Sequence, residues 1–522
     1  MKALLRTILL LLAIGMTAAL PSVAAQAEGR GRRGDKRDPQ ERPGREQKAQ
    51  GRGSSATLPP EVAALRPLSV VLGRPTDRAI TLNLLAAEPL EVVVEYGPVP
   101  GGCEHRSEPV ALQADRPAEV TLGGLTRDTA YAYRLRSRRA GTAESVTGAE
   151  FGFHTQRAAG STFVFEIQGD SHPERPQQFD PGLYAQTLRA AAIDSPDFYL
   201  TIGDDFSVDK LGRRATADAV AAIYREQRLY LGLVGRSSPV FLVNGNHEQA
   251  ARCNLDGTAE NVAVWAQTNR SCFFPQPAPD GFYSGDAEPV EYIGLLRDYY
   301  AWTWGDALFV VIDPYWHSAQ PVDNAYGSRE KARDPWGATL GDAQYQWLQR
   351  TLAESRATFK FVFAHHVLGT GRGGIERAGM HEWGDTSAEF ARNRPGWQLP
   401  IHQLMAKHGV TVFFQGHDHL FVRQELDGVV YQTLPEPADP NYTLYNRDAY
   451  RSGDALPNSG RVRVTVSPER VGVAYLRSWL PKDATAEHPD NATAFHYEIP
   501  ARTGTVTPGT MALPHTTEGK AQ

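Results

Sequence analysis

Eight side chains in this 522-residue sequence have types and spacing that could do chemistry together: Asp170, His172, Asp204, Asn246, His247, His365, His417 and His419. Each follows a short apolar run, in Gly169-Asp170-Ser171-His172, Gly203-Asp204-Asp205, Gly245-Asn246-His247-Glu248, His365-His366 and Gly416-His417-Asp418-His419. Carboxylate oxygen combined with imidazole nitrogen suits zinc, iron or manganese better than calcium. Seven ligand-type groups are too many for one ion with open positions. They suit two ions about 3.5–4 Å apart, the spacing of two-metal hydrolases. In an extended segment residues i and i+2 point to one side, so Asp170 with His172, and His417 with His419, are each expected to present two ligands to one place.

The apolar runs that must position them read as strands at 162–168, 197–202, 240–243, 307–312, 359–364 and 410–414. Between them lie helical patterns at 183–193, 217–231, 344–352 and 401–407. Strands alternating with helices predict a layered α/β sheet, with ligands at the carboxyl ends of the strands. Shorter runs at 429–434, 461–466 and 471–475 are expected to extend or cover it. Upstream, alternating runs at 79–84, 90–96, 118–122, 130–136 and 150–155 predict a β-sandwich of about a hundred residues.

The chain opens with a basic start (Lys2, Arg6), a mostly apolar stretch at 7–20 and Ala25-Gln26-Ala27, the pattern of a secretory signal cut near Ala27. Its apolar core is shorter than the roughly 20 residues of a spanning helix, and no integral membrane segment is expected after cleavage. Residues 28–55 hold seven Arg and two Lys against five acids with almost nothing apolar, a composition that cannot pay for folding. The formal net charge of -6 gives no support for a nucleic-acid partner. Of three cysteines, Cys253 and Cys272 could close one loop, leaving Cys103 unpaired. His105, His154, His402, His488 and His496 read as packed or surface residues.

D-x-H, G-D, G-N-H-E, a strand-end His and G-H-x-H, in that order over about 162–420, resemble the calcineurin-like metallophosphoesterase superfamily. That resemblance implies a four-layer αββα core. It implies that Asp170, His172 and His419 bind one metal, that Asn246, His365 and His417 bind the other, and that Asp204 bridges them. His247 would then assist the leaving oxygen rather than bind metal. The preceding sandwich resembles the layout of purple acid phosphatase-related secreted enzymes, and Leu125-Thr126-Arg127-Asp128-Thr129-Ala130-Tyr131 resembles the corner of fibronectin type III domains. One departure is Ser207, where purple acid phosphatases carry the Tyr of G-D-x-x-Y, so a divalent pair (Fe, Zn or Mn) is expected rather than a ferric tyrosinate. Glu248, Asp205 and Asp209 each remain open as the group that orients His247.

The expected organisation is a signal peptide at 1–27, a disordered linker at 28–58, a fibronectin type III-like sandwich at 59–157, a metallophosphoesterase domain at 158–500 and a disordered tail at 501–522. The expected function is an exported, secreted or periplasmic phosphatase or phosphodiesterase in which a metal-bridging hydroxide attacks phosphorus. Two divalent ions, less two carboxylates and a hydroxide, leave about +1 to favour a phosphate ester. Arg372 and Arg377 could bind that ester, since Arg matches phosphate geometry. Asp313 and Tyr315 could line the pocket, and His366 would support its neighbour. The other reading is a non-catalytic, metal-stabilised binding or scaffolding protein of the cell envelope. His247, which ligation does not need, argues for chemistry.

Overall fold

The computed structural model describes residues 58–327, 329–331, 333–367 and 371–502. The predicted signal, nearly all of the linker and the tail from 503 lie outside the described residues.

Two mixed sheets lie face to face. One runs, in spatial order, Val240–Leu242, Phe198–Thr201, Phe163–Gln168, Gly460–Val466, Arg470–Arg477 and Ala492–Pro500. Its first three strands are parallel and the rest antiparallel. The other runs Ser284–Gly285, Tyr300–Trp304, Ala307–Val311, Phe359–Phe363, Val412–Gln415, Val429–Thr433, Phe421–Leu426 and Asp454–Leu456, with a parallel centre from Ala307–Val311 to Val429–Thr433.

Period-two alternation builds the layers. Phe198 and Leu200 enter the core between the sheets, whereas Tyr199 faces helices on the outer side. Phe361 and Phe363 likewise point inward, and Val362 points out to a second helical layer. The Phe165 ring meets Phe198, Phe309, Phe361, Phe363 and Phe414 with centroids 5.2 to 6.3 Å apart, so this core is largely aromatic. Helices Pro181–Asp194, Ala217–Gly235 and Val262–Phe273 cover the first sheet. Their N-termini are capped by Asp180, Thr216 and Asn261, each accepting from a backbone N–H three residues on. Gly341–Glu354, His381–Gly384, Ala388–Asn393 and Ile401–Lys407 cover the second. The result is the expected αββα arrangement.

Several elements differ from the sequence reading. The helix Val262–Phe273 and the strands Leu68–Gly73, Tyr300–Trp304, Phe421–Leu426 and Ala492–Pro500 were not foreseen. Cys103, Cys253 and Cys272 are all free, so the suggested Cys253–Cys272 loop does not form. Cys272 is instead the penultimate residue of the unforeseen helix.

Ahead of the sheets, Leu68–Gly73, Ile80–Ala86 and Ala118–Leu122 form one antiparallel sheet. Leu90–Pro98, Ala130–Arg139 and Ser145–His154 form the main part of another, and the two share one apolar core. Leu125 is buried, and the Tyr131 hydroxyl accepts from Thr126 N at 2.8 Å, closing the corner between strands.

This sandwich is bonded to the helices behind the first sheet through Arg228, which is fully buried. Its guanidinium donates to Ser69 Oγ (3.2 Å), to the Asn83 carbonyl (2.6 Å) and to the Phe273 carbonyl. Burial without a carboxylate partner draws its pKa down to about 9. Arg228→Met keeps the stem and strips buried carbonyls of their donor, at about 1–3 kcal/mol each. The variant is expected to lose about 3 kcal/mol in urea unfolding. An unchanged midpoint would show that the guanidinium does not hold the sandwich in place.

Candidate metal centre

All five motifs sit where strands of the two sheets end, along one edge of the sheet pair. Glycine lets the chain come close enough there. A Cβ at Gly416 would lie 2.3 Å from Asp170 Oδ1, and one at Gly245 would lie 2.3 Å from Asp204 Oδ1. The backbone N–H of His417 donates to both oxygens of Asp170 (2.9 and 3.0 Å), and that of His247 donates to Asp204 Oδ1 (2.8 Å). Each carboxylate is therefore aimed by the motif that follows a different strand.

Two ligand sets result. Asp170, His172 and His419 bring one ligand atom each to within 4.8 Å of the others, and so do Asp204, His365 and His417. In the first set, Asp170 Oδ2 lies 3.2 Å from His419 Nε2 and 3.7 Å from His172 Nε2. In the second, Asp204 Oδ2 lies 3.0 Å from His365 Nε2, while Asn246 Oδ1 lies 3.1 Å from His417 Nδ1. Asp204 Oδ2 is also 3.7 Å from His172 Nε2, which joins the sets. All eight residues picked out from the sequence, His247 included, meet at this one site.

The donors fit cations. His172 Nε2 and His365 Nε2 are buried and, among the described residues, have no hydrogen-bond partner, though each faces carboxylate oxygen. The opposite ring nitrogens of these two are held, His172 Nδ1 by Glu174 (2.9 Å) and His365 Nδ1 by the Ile202 carbonyl (2.9 Å), while His419 Nδ1 faces Glu436 at 3.3 Å without a hydrogen bond. Asp323 Oδ2 lies 3.5 Å from His417 Nε2. Such partners fix ring orientation and leave the other nitrogen facing the metal position. The electrostatics agree. Burial opposes the charged form of Asp170 and Asp204, yet the imidazoles, His365 foremost, hold both carboxyls far below the usual range. Burial also opposes protonation of His365, but Asp204 and Asp170 push its pKa up to about 10. The site draws in positive charge.

The stated reason for the i, i+2 pairs does not hold. His172, His417 and His419 have φ of +43°, +67° and +58°, left-handed rather than extended backbone. Consequently His417 and His419 serve different sets, while Asp170 and His172 still share one.

His247 stands outside these two ligand sets, though its ring also lies within 4.8 Å of ligand atoms of His172 and Glu174. Its Nδ1 is 2.9 Å from Asp209 Oδ1, and its Nε2 is 3.8 Å from Asp204 Oδ2. Of the three groups left open, Asp209 orients it. Glu248 instead accepts from the backbone of Gly245, Asp205 and Phe206, and Asp205 accepts from Gln168 and Ser171. Glu174, Arg175, Asp209, Asp323, Asn324 and Glu436 also build the site, and sequence reasoning named only Asp209 among them.

Arg372 donates to the His417 carbonyl (2.6 Å) and to Asp418 (3.2 Å), with its side chain 41% exposed. Arg377 donates to the Arg372 carbonyl (3.0 Å). Asp313 is buried, accepting from Asn244 and the backbone of Tyr315 and Trp316. The Tyr315 hydroxyl bonds His366 Nδ1 (3.0 Å), and the His366 ring lies 4.7 Å from that of His417. His366 thus supports the ligand set from behind.

Comparison with known proteins agrees with this geometry. Residues 167–421 match the family described as "Calcineurin-like phosphoesterase". Tartrate-resistant acid phosphatase type 5 of Homo sapiens is 22% identical over 307 residues, 56% of this chain and 79% of that protein. A solved structure of PhoD superposes with a TM-score of 0.55 at 15% identity, covering 84% of this chain and 93% of that one, which shows a shared fold. Residues 167–421 are therefore a calcineurin-like phosphoesterase domain, and the protein is a metal-dependent phosphoester hydrolase.

Proposed function

We propose that this protein is an exported phosphoesterase that works with two divalent metal ions, Fe, Zn or Mn. Asp170, His172 and His419 would hold one ion and Asn246, His365 and His417 the other, with Asp204 shared. When bound, the ions supply Lewis acidity and lower the pKa of a water toward ~7. The rest of the chemistry belongs to the chain. His247 donates a proton from Nε2 to the leaving oxygen, a role that needs the ring within reach of the scissile bond. Asp209 accepts a hydrogen bond from Nδ1–H and so stabilises the imidazolium, the form that carries a second hydrogen on Nε2 to donate. Asp204 Oδ1 is tied to the His247 backbone, so ligand and proton donor keep their relative position.

The observation that carries this reading is the His247–Asp209 pair beside a complete ligand set. A site built only to stabilise the fold needs no oriented imidazole there. The sandwich, with its Tyr131 corner, is proposed as a fibronectin type III-like module that packs against the hydrolase domain. Arg372 and, through it, Arg377 are proposed to border the ester.

The test is hydrolysis of a chromogenic phosphate monoester and the matching diester by protein loaded with manganese, zinc or iron, with Asp204→Ala as control. Turnover of either ester, absent in the control, is expected. No turnover of either with two metals bound would overturn the reading.

A further inference from the structure

Arg175 is the cation closest to the imidazole just described. Its NH2 lies 3.3 Å from His247 Nε2, and its Nε lies 3.4 Å from Glu174 Oε1. The same Glu174 oxygen holds His172 Nδ1 at 2.9 Å, so Arg175 is anchored to the ligand set at one end. The guanidinium is a quarter exposed and can be reached from solvent. Asn324 arrives from the opposite side of the sequence: its Nδ2 lies 2.8 Å from His247 Nε2 and 3.5 Å from Asp209 Oδ2. Two donors, one permanently charged, therefore converge on the nitrogen beside which the leaving oxygen would sit.

The contrast with Arg372 is instructive. There one guanidinium nitrogen is already committed to a carbonyl and a carboxylate. Among the described residues Arg175 NH2 meets only His247 Nε2, which can accept from it while the ring is neutral but not once Nε2 is protonated for donation, and a phosphate oxygen is the stronger acceptor in either state.

We propose that Arg175 and Asn324 form an anion-recognition arm at His247 that selects doubly charged phosphate monoesters over singly charged diesters. This rests on the phosphoesterase reading and gives it a substrate class. A fixed guanidinium offers parallel donors to two non-bridging oxygens, and its attraction grows with the charge of the ester. A diester places an alkyl or aryl group where the second charged oxygen would be.

The test is Arg175→Gln with Arg175→Lys beside it, assayed on the chromogenic monoester and its diester and for inhibition by inorganic phosphate. Metal content and melting temperature are measured on each protein. Arg175→Gln is expected to lower kcat/KM on the monoester ~30-fold, chiefly through KM, and on the diester by less than about threefold. Its inhibition constant for phosphate should rise ~10-fold, with Arg175→Lys intermediate because it keeps charge but not the fork. Equal losses on both esters with phosphate inhibition unchanged would make Arg175 a brace for His247 and overturn the proposal. Loss of bound metal would do the same, placing Arg175 in the support of His172. Wild-type protein that holds two metals and hydrolyses neither ester would instead sink the phosphoesterase reading itself.

Discussion

Asp204→Asn is expected to remove at least ~10³-fold of turnover, about 4 kcal/mol of transition-state stabilisation, and to lower the bound metal from two ions to one or none. The reason lies in what one oxygen does. Asp204 Oδ2 is within 3.0 Å of His365 Nε2 and 3.7 Å of His172 Nε2, so it reaches both ligand sets, whereas Asp170 Oδ2 stands 3.9 Å from His365 Nε2. Asparagine keeps the shape and leaves an oxygen to accept from the His247 backbone, which should preserve the fold. It removes the largest of the carboxylate charges that pull His365 up to about 10 against its burial. With that charge gone, the positive charge that the site draws in is no longer balanced. Elemental analysis beside turnover decides the matter. A variant that keeps two ions and wild-type turnover would show that Asp204 does not bridge them.

The ligand set was legible in the sequence because the fold places each member at the same kind of position. A run of apolar residues too short for a helix, a glycine (Ala364 in one case), then carboxylate, amide or imidazole is a local pattern, and five occurrences of it needed no knowledge of the tertiary structure. The glycines at 245 and 416 were part of the signal, for they admit Asp204 and Asp170. What the spacing could not give was backbone handedness. His417 and His419 turn through left-handed conformations, and the two neighbours join different groups of ligand-type side chains. Glu174, Asp323, Asn324 and Glu436 were invisible for another reason. They come from connections without periodicity, and only their distance to an imidazole gives them a role. The helix Val262–Phe273 did carry a signal that was passed over, an Asn261 cap ahead of apolar Val262, Ala263 and Ala266.

His247→Asn should separate proton transfer from metal binding. The variant is expected to keep both metals, since none of the ligand atoms is touched, and to lose ~10²–10⁴-fold on esters with poor leaving groups. An aryl ester whose leaving group needs no proton should lose far less. The pH profile carries the same information. Burial lowers the His247 pKa, but the charges of Asp204 and Asp209 and the hydrogen bond to Asp209 outweigh it, and the net shift is upward from 6.5. The active form is the protonated one, so wild-type turnover of a poor-leaving-group ester should be full at low pH on this limb and fall as pH rises through the raised pKa. His247→Asn should lack that limb. Bound cations would compete for the field of Asp204, which makes Asp209 the cleaner lever. Asp209 is no ligand, and Asp209→Asn removes a charge 2.9 Å from Nδ1 while leaving both ligand sets intact. It should move the falling limb to lower pH and cost less than His247→Asn at the acid end, where the imidazole is protonated in either protein. A limb that stays in place in Asp209→Asn, or persists in His247→Asn, would assign the proton to another group.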